Sequence, residues 1–464
     1  MRILFLLHQF LPRHVTGTEQ YARSLAIALR ARGHDVRVFA YEPLIQFAAP
    51  GRLWFEQDEV VDGVPVHRIS VHPTASPNPV LIDIDNPLAV QLFERYLDRE
   101  PFDLVHVFHP RYLGCGGLAA LHRRRLPFVV NLMDFYYICP NYTLLRGDGS
   151  LCDGPPRHGL GCADCIDPQL GDLVQSTGIE DHALALAGCG SMSMVGTGGT
   201  ELDRVHTLLV RRERLLAALR PAAAILAPSR FLARMYEANG LPGARMRHVP
   251  YGVDPERFAV AGSADGDTGE ASRAEETQGE SARPIRLGYI GSITPHKGLH
   301  TVLPVLRGLH GSFRFDVYGS FETHPEYASQ VRALAGRDRR IRFRGAFASE
   351  RLGQVLARLD ALVVPSLWYE NTPFVVLEAL WAGVPVLASD LGGIAEVVQD
   401  GVNGRLFAPG DADSLRTVLE SVLADRRQLA TFRDGPRPRP LSENVDELQG
   451  IYADVVAAGS EGAP

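Results

Sequence analysis

Short apolar segments alternate with longer amphipathic segments along most of the chain, which is the pattern of a parallel α/β sheet. The first apolar segment, at 2–7, is followed by a polar loop and by Thr16 and Glu19, whose spacing is that of a helix capping box. A second apolar strand begins at Val36, after a stretch with helical periodicity. This order predicts a strand, a helix and a second, parallel strand.

The same alternation predicts strands and helices in both halves of the chain. The strands are predicted at 104–108, 128–132, 224–227, 247–250, 286–290, 314–317, 341–344, 361–364 and 386–388. The helices are predicted at 113–125, 205–219, 229–239, 326–335, 350–356 and 441–457, with two more starting at 299 and 373. We therefore predict an α/β protein with two Rossmann-like parallel-sheet domains.

Residues 261–283 contain no large apolar side chain, so this segment cannot bury enough surface to offset its chain entropy. We expect a disordered linker or loop there, at 259–284. A chain of 464 residues is also too long for one hydrophobic core. We predict an N-terminal domain at 1–258, a C-terminal domain at 285–435, and a terminal helix and tail at 436–464 that return to the first domain.

Charge and composition exclude several classes of protein. The formal net charge of −7 argues against a nucleic-acid partner, and no stretch approaches the roughly 18 consecutive apolar residues of a membrane span. Six cysteines are too few for a disulfide scaffold, and no cleavage site follows the first apolar segment. We expect a cytoplasmic protein with reduced thiols. Basic clusters at 123–125, 211–214 and 337–340 are either solvated helix ends or a peripheral contact with the inner face of a membrane.

The loop 365–378, PSLWYENTPFVVLE, joins a predicted strand to a predicted helix, with Thr372 as N-cap and Pro373 as the first helical residue. The N–H groups at the start of a helix suit a phosphate or diphosphate. Glu370 and Glu378 either accept hydrogen bonds from sugar hydroxyls there, or are a capping residue and a solvated helix position. The sequence leaves both interpretations open.

Four other residues follow predicted strand ends, where ligands bind in open parallel sheets. Lys297, in the loop 291–298, can neutralise a phosphate. Gly17 either lets the backbone approach a ligand or forms a flexible turn. His109 and Asp134 are each a candidate for proton transfer or a structural residue. A G-x-G-x-x-G motif is missing from the sequence, which argues against a dehydrogenase.

Five segments together resemble the GT4-like glycosyltransferases, which have the GT-B fold. The sequence ENTPFVVLE at 370–378 resembles the E-x7-E motif of the family, and GSITPHKG at 291–298 resembles its G-R-x-x-x-x-K-G loop. HVPYGVD at 248–254 resembles the interdomain strand. The segments at 17–39 and 392–411 are similar to the first βαβ unit and to the segment after the catalytic helix.

The resemblance implies two domains facing a cleft and a retaining transfer of sugar from a UDP-, GDP- or ADP-sugar to an acceptor that is a glycan, a lipid or a small molecule. It implies no catalytic metal. Alternatives on the same fold are a nucleotide-sugar epimerase, a phosphorylase or a non-catalytic partner subunit.

The resemblance also assigns roles to residues. Glu370 would contact the hydroxyls of the donor sugar, Glu378 the ribose hydroxyls and Lys297 the diphosphate, while His109 would face the reacting sugar. Ser292 stands where the phosphate loop of the family usually has Arg. The remaining implied contacts are the donor-binding Gly17, Asn371, Thr372, Pro373 and Phe374, and Asp134 at the acceptor.

A loop rich in Gly and Pro, at 139–167, contains Cys139, Cys152, Cys162 and Cys165. Four thiolates in a reducing compartment can bind a structural zinc ion, which would order a loop with little apolar content. The alternatives are a disulfide pair or unpaired thiols.

Overall fold

The computed structural model describes residues 1–42, 53–72, 78–176, 201–258 and 283–461. The predicted linker, 259–284, lies outside the described residues except for its last two positions. The chain divides into two compact units, Met1–Pro250 with Ser442–Pro464, and Tyr251–Leu441. The first unit thus ends at Pro250, whereas the sequence places the end of the first domain at 258.

The first unit has a central sheet whose described strands follow the order β3-β4-β2-β1-β5-β6-β7-β8. Its strands are β1 (Arg2–Leu7), β2 (Asp35–Tyr41), β3 (Trp54–Val61), β4 (Val64–Val71), β5 (Leu104–Val107), β6 (Phe128–Asn131), β7 (Ala224–Ala227) and β8 (Met246–His248). Its helices are α1 (Gly17–Ala31), α2 (Pro79–Ile84), α3 (Pro87–Arg99), α4 (Gly114–Arg123), α5 (Ala163–Ile166), α6 (Pro168–Ser176), α7 (Glu201–Ala218) and α8 (Arg230–Ala238). Apolar runs buried on both faces explain why β1, β5, β6 and β7 form the centre of the sheet.

One strand departs from the predicted parallel sheet. β3 pairs antiparallel with β4, and all other neighbouring strands of this sheet are parallel. The two strands are joined by Asp62 and Gly63, which both have positive φ (50° and 78°). Such a two-residue turn reverses the chain and matches the strand twist, and Asp-Gly is its typical sequence. The predicted parallel-sheet architecture is confirmed, with one antiparallel strand added at this edge.

The second unit has a fully parallel sheet with the order β11-β10-β9-β12-β13-β14 among its described strands. The strands are β9 (Ile285–Ile290), β10 (Phe313–Tyr318), β11 (Ile341–Gly345), β12 (Ala361–Val364), β13 (Val386–Ser389) and β14 (Gly404–Phe407). The helices are α9 (Leu299–Gly308), α10 (Pro325–Ala335), α11 (Leu352–Ala357), α12 (Phe374–Trp381), α13 (Ile394–Val397), α14 (Ala412–Ala424) and α15 (Arg427–Arg433).

Two apolar clusters hold this sheet between its helices. One cluster joins it to α9, α10, α14 and α15. The other joins it to α11, α12 and α13. Both faces of the sheet are thereby buried, as a parallel sheet requires.

The last helix, α16 (Leu441–Glu461), packs against the first unit through buried polar contacts. The hydroxyl of Tyr452 lies 2.6 Å from Nδ1 of His106, and Tyr21 donates to Asn444 at 2.7 Å. Burial lowers the pKa of His106 to about 3, so its ring is neutral. These contacts attach the C-terminal helix to β5 and α1.

Many of the basic residues singled out in the sequence are paired within the chain. Arg123 and Arg124 both donate to Glu94, and Arg340 pairs with its neighbour Asp338. Arg211 is buried. Among the described residues, no helix combines the length and the apolar character needed to span a bilayer.

The contact between Tyr452 and His106 gives a test of how α16 is held. We expect Tyr452→Phe to lower the free energy of unfolding by about 1–3 kcal/mol, because it leaves a buried ring nitrogen without a partner. Urea denaturation measures the effect. The exposed Asp454 on the same helix supplies a control, and Asp454→Asn should change stability by less than about 0.5 kcal/mol. Equal stability of Tyr452→Phe and wild type would contradict the interpretation.

Candidate active site

The predicted site residues of the second unit lie where the strand order of its sheet reverses. β9 has β10 on one side and β12 on the other, so the chain leaves these two strands in opposite directions. The loops after β9 and β12 therefore border a crevice at the carboxyl ends of the strands. Open α/β sheets bind ligands at such points. Lys297 belongs to the loop after β9, and Glu370 belongs to the loop after β12.

Glu370 is a buried carboxylate held by three donors. Nζ of Lys297 lies 2.6 Å from Oε1, Oγ of Ser366 donates to the same oxygen at 2.7 Å, and Nε1 of Trp368 donates at 2.9 Å. Burial by itself raises the pKa of Glu370, but the charge of Lys297 and the three hydrogen bonds hold that pKa below its usual value. The side chain is therefore ionised at neutral pH.

All three hydrogen bonds end on Oε1 of Glu370. None of the described residues donates to Oε2. A carboxylate whose charge is fixed through one oxygen can accept a hydroxyl hydrogen bond from a ligand at the other. Ser366 and Trp368 were missed by the sequence analysis as partners of Glu370, although both lie within four residues of it.

Two glycines allow the backbone around Glu370 to pack closely. Gly393 N donates to the carbonyl oxygen of Glu370 at 2.7 Å. A Cβ at Gly393 would lie 1.4 Å from the carbonyl oxygen of Asn371, and one at Gly392 would lie 2.5 Å from that of Glu370. Neither position can carry a side chain without moving the loop that enters α12.

A glycine also allows the loop after β9 to pack closely against the loop after β12. Gly298 has a φ of +74°, and a Cβ there would lie 1.9 Å from the carbonyl oxygen of Pro365. Leu367 N donates to the carbonyl oxygen of His296 at 2.8 Å. The side chain of Ser292 is exposed, and its carbonyl oxygen accepts from Tyr289 at 2.6 Å. This packing brings Lys297 to Glu370.

Helix α12 begins at Phe374, with Pro373 as its N-cap. The predicted N-cap, Thr372, instead donates its hydroxyl to the carbonyl oxygen of Asn371 at 2.9 Å. The correction has a backbone cause: Pro373 has a ψ of 123°, which is extended and not helical. Pro373 thus enters the helix from an extended conformation.

Glu378 lies inside α12 and is buried, so it is not a solvated helix position. Nη1 of Arg257 contacts its Oε1. Burial raises the pKa of Glu378, and the charge of Arg257 offsets part of that rise. Arg257 is 121 positions away along the chain, and the sequence analysis did not identify it.

The candidate residues of the first unit also lie at a reversal of strand order, between β1 and β5. Nε2 of His109 lies 3.2 Å from Oδ2 of Asp134, and Arg111 N donates to its Nδ1 at 3.3 Å. The ring of His8 lies 4.1 Å from the ring of His109, centroid to centroid. Since Nδ1 accepts, Nε2 carries the hydrogen and donates to Asp134, so both ring nitrogens are engaged.

Gly17 is the first residue of α1, with Thr16 as its N-cap. The predicted capping box is confirmed: Thr16 N donates to the side chain of Glu19 at 2.8 Å. Glu19 is fully buried and also accepts from Gln9 at 3.0 Å. The start of α1 is therefore held firmly where the loop after β1 ends.

The pair formed by Lys297 and Glu370 can be tested with a double-mutant cycle. Lys297→Met should lower the free energy of unfolding by about 1–3 kcal/mol, because it leaves a buried carboxylate with two neutral donors. Adding Glu370→Gln should recover most of the loss. Urea denaturation of the four proteins at neutral pH measures the coupling.

The pH dependence of that cycle has a defined sign. In the wild type the pKa of Glu370 is lowered. Its ionisation therefore adds to the free energy of unfolding at neutral pH, and this stabilisation is lost as pH falls through the lowered pKa. In Lys297→Met burial dominates and the pKa of Glu370 rises. The loss in free energy of unfolding relative to the wild type should therefore be larger at neutral than at acidic pH. Additive losses that do not depend on pH would contradict the pairing.

Comparison with known proteins agrees with this architecture. The family model described as "Glycosyl transferase 4-like domain" matches residues 16–165, and the one described as "Glycosyl transferases group 1" matches residues 284–425. Alpha-D-kanosaminyltransferase of Streptomyces kanamyceticus is 27% identical over 266 residues, which are 55% of this chain and 66% of that protein. A GDP-mannose-dependent alpha-(1-6)-phosphatidylinositol monomannoside mannosyltransferase of Mycolicibacterium smegmatis is 30% identical over 216 residues, 44% of this chain and 54% of that protein.

The matches thus span between half and two thirds of the length of these two relatives. Among solved structures, Anabaena HepE in complex with UDP and glucose superposes with a TM-score of 0.61 at 17% identity, covering 98% of this chain and 99% of that chain. A likeness at this identity shows the fold, and the two family models cover parts of both units. The chain belongs to the GT4-like glycosyltransferases, with the GT-B fold.

Proposed function

We propose that this protein transfers a sugar, with retention of anomeric configuration, from a nucleoside diphosphate sugar to a glycan, lipid or small-molecule acceptor. One observation carries the proposal: a buried, ionised Glu370 with one oxygen left for a ligand, in the loop that leads into α12. Hydroxyl groups of a sugar are suitable donors to such an oxygen.

Glu370 would orient the donor sugar through Oε2 while its protein donors hold Oε1. The backbone N–H groups near the start of α12, in the segment that contains Asn371, Thr372 and Phe374, would face the diphosphate. Lys297 would add a positive charge to that region while bonded to Glu370. Ser292 brings no charge, so the diphosphate would depend on Lys297 and the helix dipole.

Glu378 would accept hydrogen bonds from the ribose hydroxyls. Arg257 contacts Oε1, which leaves Oε2 for the nucleoside. The raised pKa of Glu378 shows that its charge is costly without a ligand. Donor hydroxyls would offset part of that cost, which favours the bound state.

In the reaction, the bond between the anomeric carbon and the diphosphate oxygen breaks, and a bond to the acceptor oxygen forms. The proton of the acceptor hydroxyl goes to the departing diphosphate. Donors that are already in place, at α12 and Lys297, would stabilise the charge that develops on this leaving group. Glu370 would be a poor general base because its pKa is lowered, so we assign it to orientation and electrostatics.

In the first unit we assign sugar and acceptor contacts to His109 and Asp134, with Gly17 at the start of α1. His109 donates to Asp134 and would hold that carboxylate in place for an acceptor hydroxyl. Since both nitrogens of His109 are engaged, its contact with a reacting sugar would be made by the ring itself or after release of one partner.

The activity assignment predicts that Glu370→Gln keeps the fold and slows transfer. We expect a loss of about 2–4 kcal/mol in transition-state stabilisation, because a charged hydrogen bond to the sugar becomes a neutral one. Release of nucleoside diphosphate from the preferred donor measures the rate. Glu420→Gln, at an exposed position of α14, is the matched control. A wild-type rate in Glu370→Gln would overturn the assignment.

The donor base is found by a thermal-shift screen with UDP, GDP and ADP. A nucleotide at a hundred times its dissociation constant should add about 2.7 kcal/mol of stability. Lys297→Ala should then weaken the nucleoside diphosphate more than the nucleoside, as measured by calorimetry. Equal losses for both ligands would contradict a diphosphate contact at Lys297.

A further inference from the structure

Four cysteines of the first unit line a single small cavity. Cys139, Cys152, Cys162 and Cys165 surround a space of about 20 Å³. Cys162 lies within electrostatic range of the other three thiols. A space of that size holds one water-sized body. The fold therefore brings together residues that are up to 26 positions apart in the sequence around room for one ion.

The local structure supplies the cysteines as two pairs. Cys139 and Cys152 flank a small hairpin in which Leu145 bridges Leu151, and Cys152 N donates to the carbonyl oxygen of Leu144 at 2.9 Å. Cys162 is the N-cap of α5, and Cys165 lies one helical turn later. A hairpin facing a C-x-x-C helical turn presents thiols from two directions, as a tetrahedral site requires.

The backbone of this loop is held in uncommon conformations. Seven described residues other than glycine have a positive φ, and four of them lie between Cys139 and Cys162: Tyr142, Leu144, Arg157 and His158. Such conformations cost about 1–3 kcal/mol each and persist only where the surroundings determine them. Arg157 and His158 lie outside the hairpin, so the hairpin does not hold all four of these residues. A central ion bonded to both pairs of cysteines would hold both parts of the loop.

A buried cation, Arg211, lies within electrostatic range of two of the thiols. Arg211 is 2% exposed, and its Nε and Nη1 have no hydrogen-bond partner among the described residues. It is close enough to Cys139 and Cys162 to act on both electrostatically. Four thiolates around a divalent ion carry a net charge of −2. Nη2 of Arg211 pairs with Asp83 at 3.3 Å, and its two other donor atoms would complement the charge of the metal site.

We propose that Cys139, Cys152, Cys162 and Cys165 bind one structural Zn²⁺ ion as four thiolates. Zinc prefers such ligands in tetrahedral geometry, and a closed set leaves no position for a substrate. No three His, Cys, Asp or Glu side chains of the described residues already have ligand geometry. Binding therefore requires the thiols to close inward around the cavity, with release of their protons.

The proposed ion would act on the candidate active site by bracing one loop. Cys139 N donates to the carbonyl oxygen of Phe135 at 2.7 Å, and Asp134 is the preceding residue. The carbonyl oxygen of Asp134 accepts from Tyr236 at 2.8 Å. An ion that holds Cys139 in place would therefore also hold the turn that contains Asp134, the hydrogen-bond partner of His109.

The test is metal analysis of the full chain, purified without a metal-affinity tag. We expect about one zinc atom per chain. Cys152→Ser should lower zinc affinity at least about tenfold, whereas Cys115→Ser, outside the cavity, should leave it unchanged. Replacement of zinc by Co²⁺ should give the visible absorption bands of tetrahedral thiolate cobalt.

A second measurement uses the wild-type protein and so does not depend on whether the cysteine variants fold. Removing metal from the wild-type protein with a chelator should lower its melting temperature, and added Zn²⁺ should restore it. Zinc well below one atom per chain, with four freely titrating thiols, would overturn the proposal. Two disulfides found by mass spectrometry among these cysteines would overturn it equally.

Discussion

The ion pair of Glu370 with Lys297 is the constraint around which the second unit is arranged. A carboxylate buried at this depth is unstable as an ion unless several donors reach it. Its donors come from two loops that are separated in sequence and adjacent in the sheet, one after β9 and one after β12. Gly298 and Gly393 let these loops approach closely enough. The neighbouring positions of β9 and β12 in the order β10-β9-β12-β13 therefore make this contact possible.

Much of the fold follows from local signals. The alternation of apolar runs predicts β1, β5, β6 and the strands β9 to β13 of the second unit, because strands buried on both faces need continuous apolar sequence. It does not predict β14, whose two middle residues are only half-buried. β3 was missed since its side chains alternate between exposed and half-buried, as on a sheet edge. The Asp62–Gly63 turn that precedes β4 was a readable signal that the periodicity argument did not use.

The site was predictable as a set of residues and not as a set of contacts. Lys297, Glu370 and Glu378 were selected as candidates because family-like motifs and strand ends mark them. The pairing of Glu378 with Arg257 joins positions that no local pattern connects. The engagement of both nitrogens of His109 depends likewise on Asp134, which follows a different strand. Such contacts follow from strand order, which local periodicity does not determine.

The two carboxylates near α12 differ in a way that separates their roles. The pKa of Glu370 is lowered because three donors, one of them the Lys297 cation, outweigh its burial. The pKa of Glu378 is raised because one guanidinium does not outweigh its burial. A group that keeps its charge at every physiological pH orients a ligand without exchanging protons with it. The ionised form of a carboxylate with a raised pKa is stabilised when a ligand donates new hydrogen bonds to it. This difference supports the proposed roles, in which Glu370 would hold the reacting sugar and Glu378 would favour binding of the nucleoside.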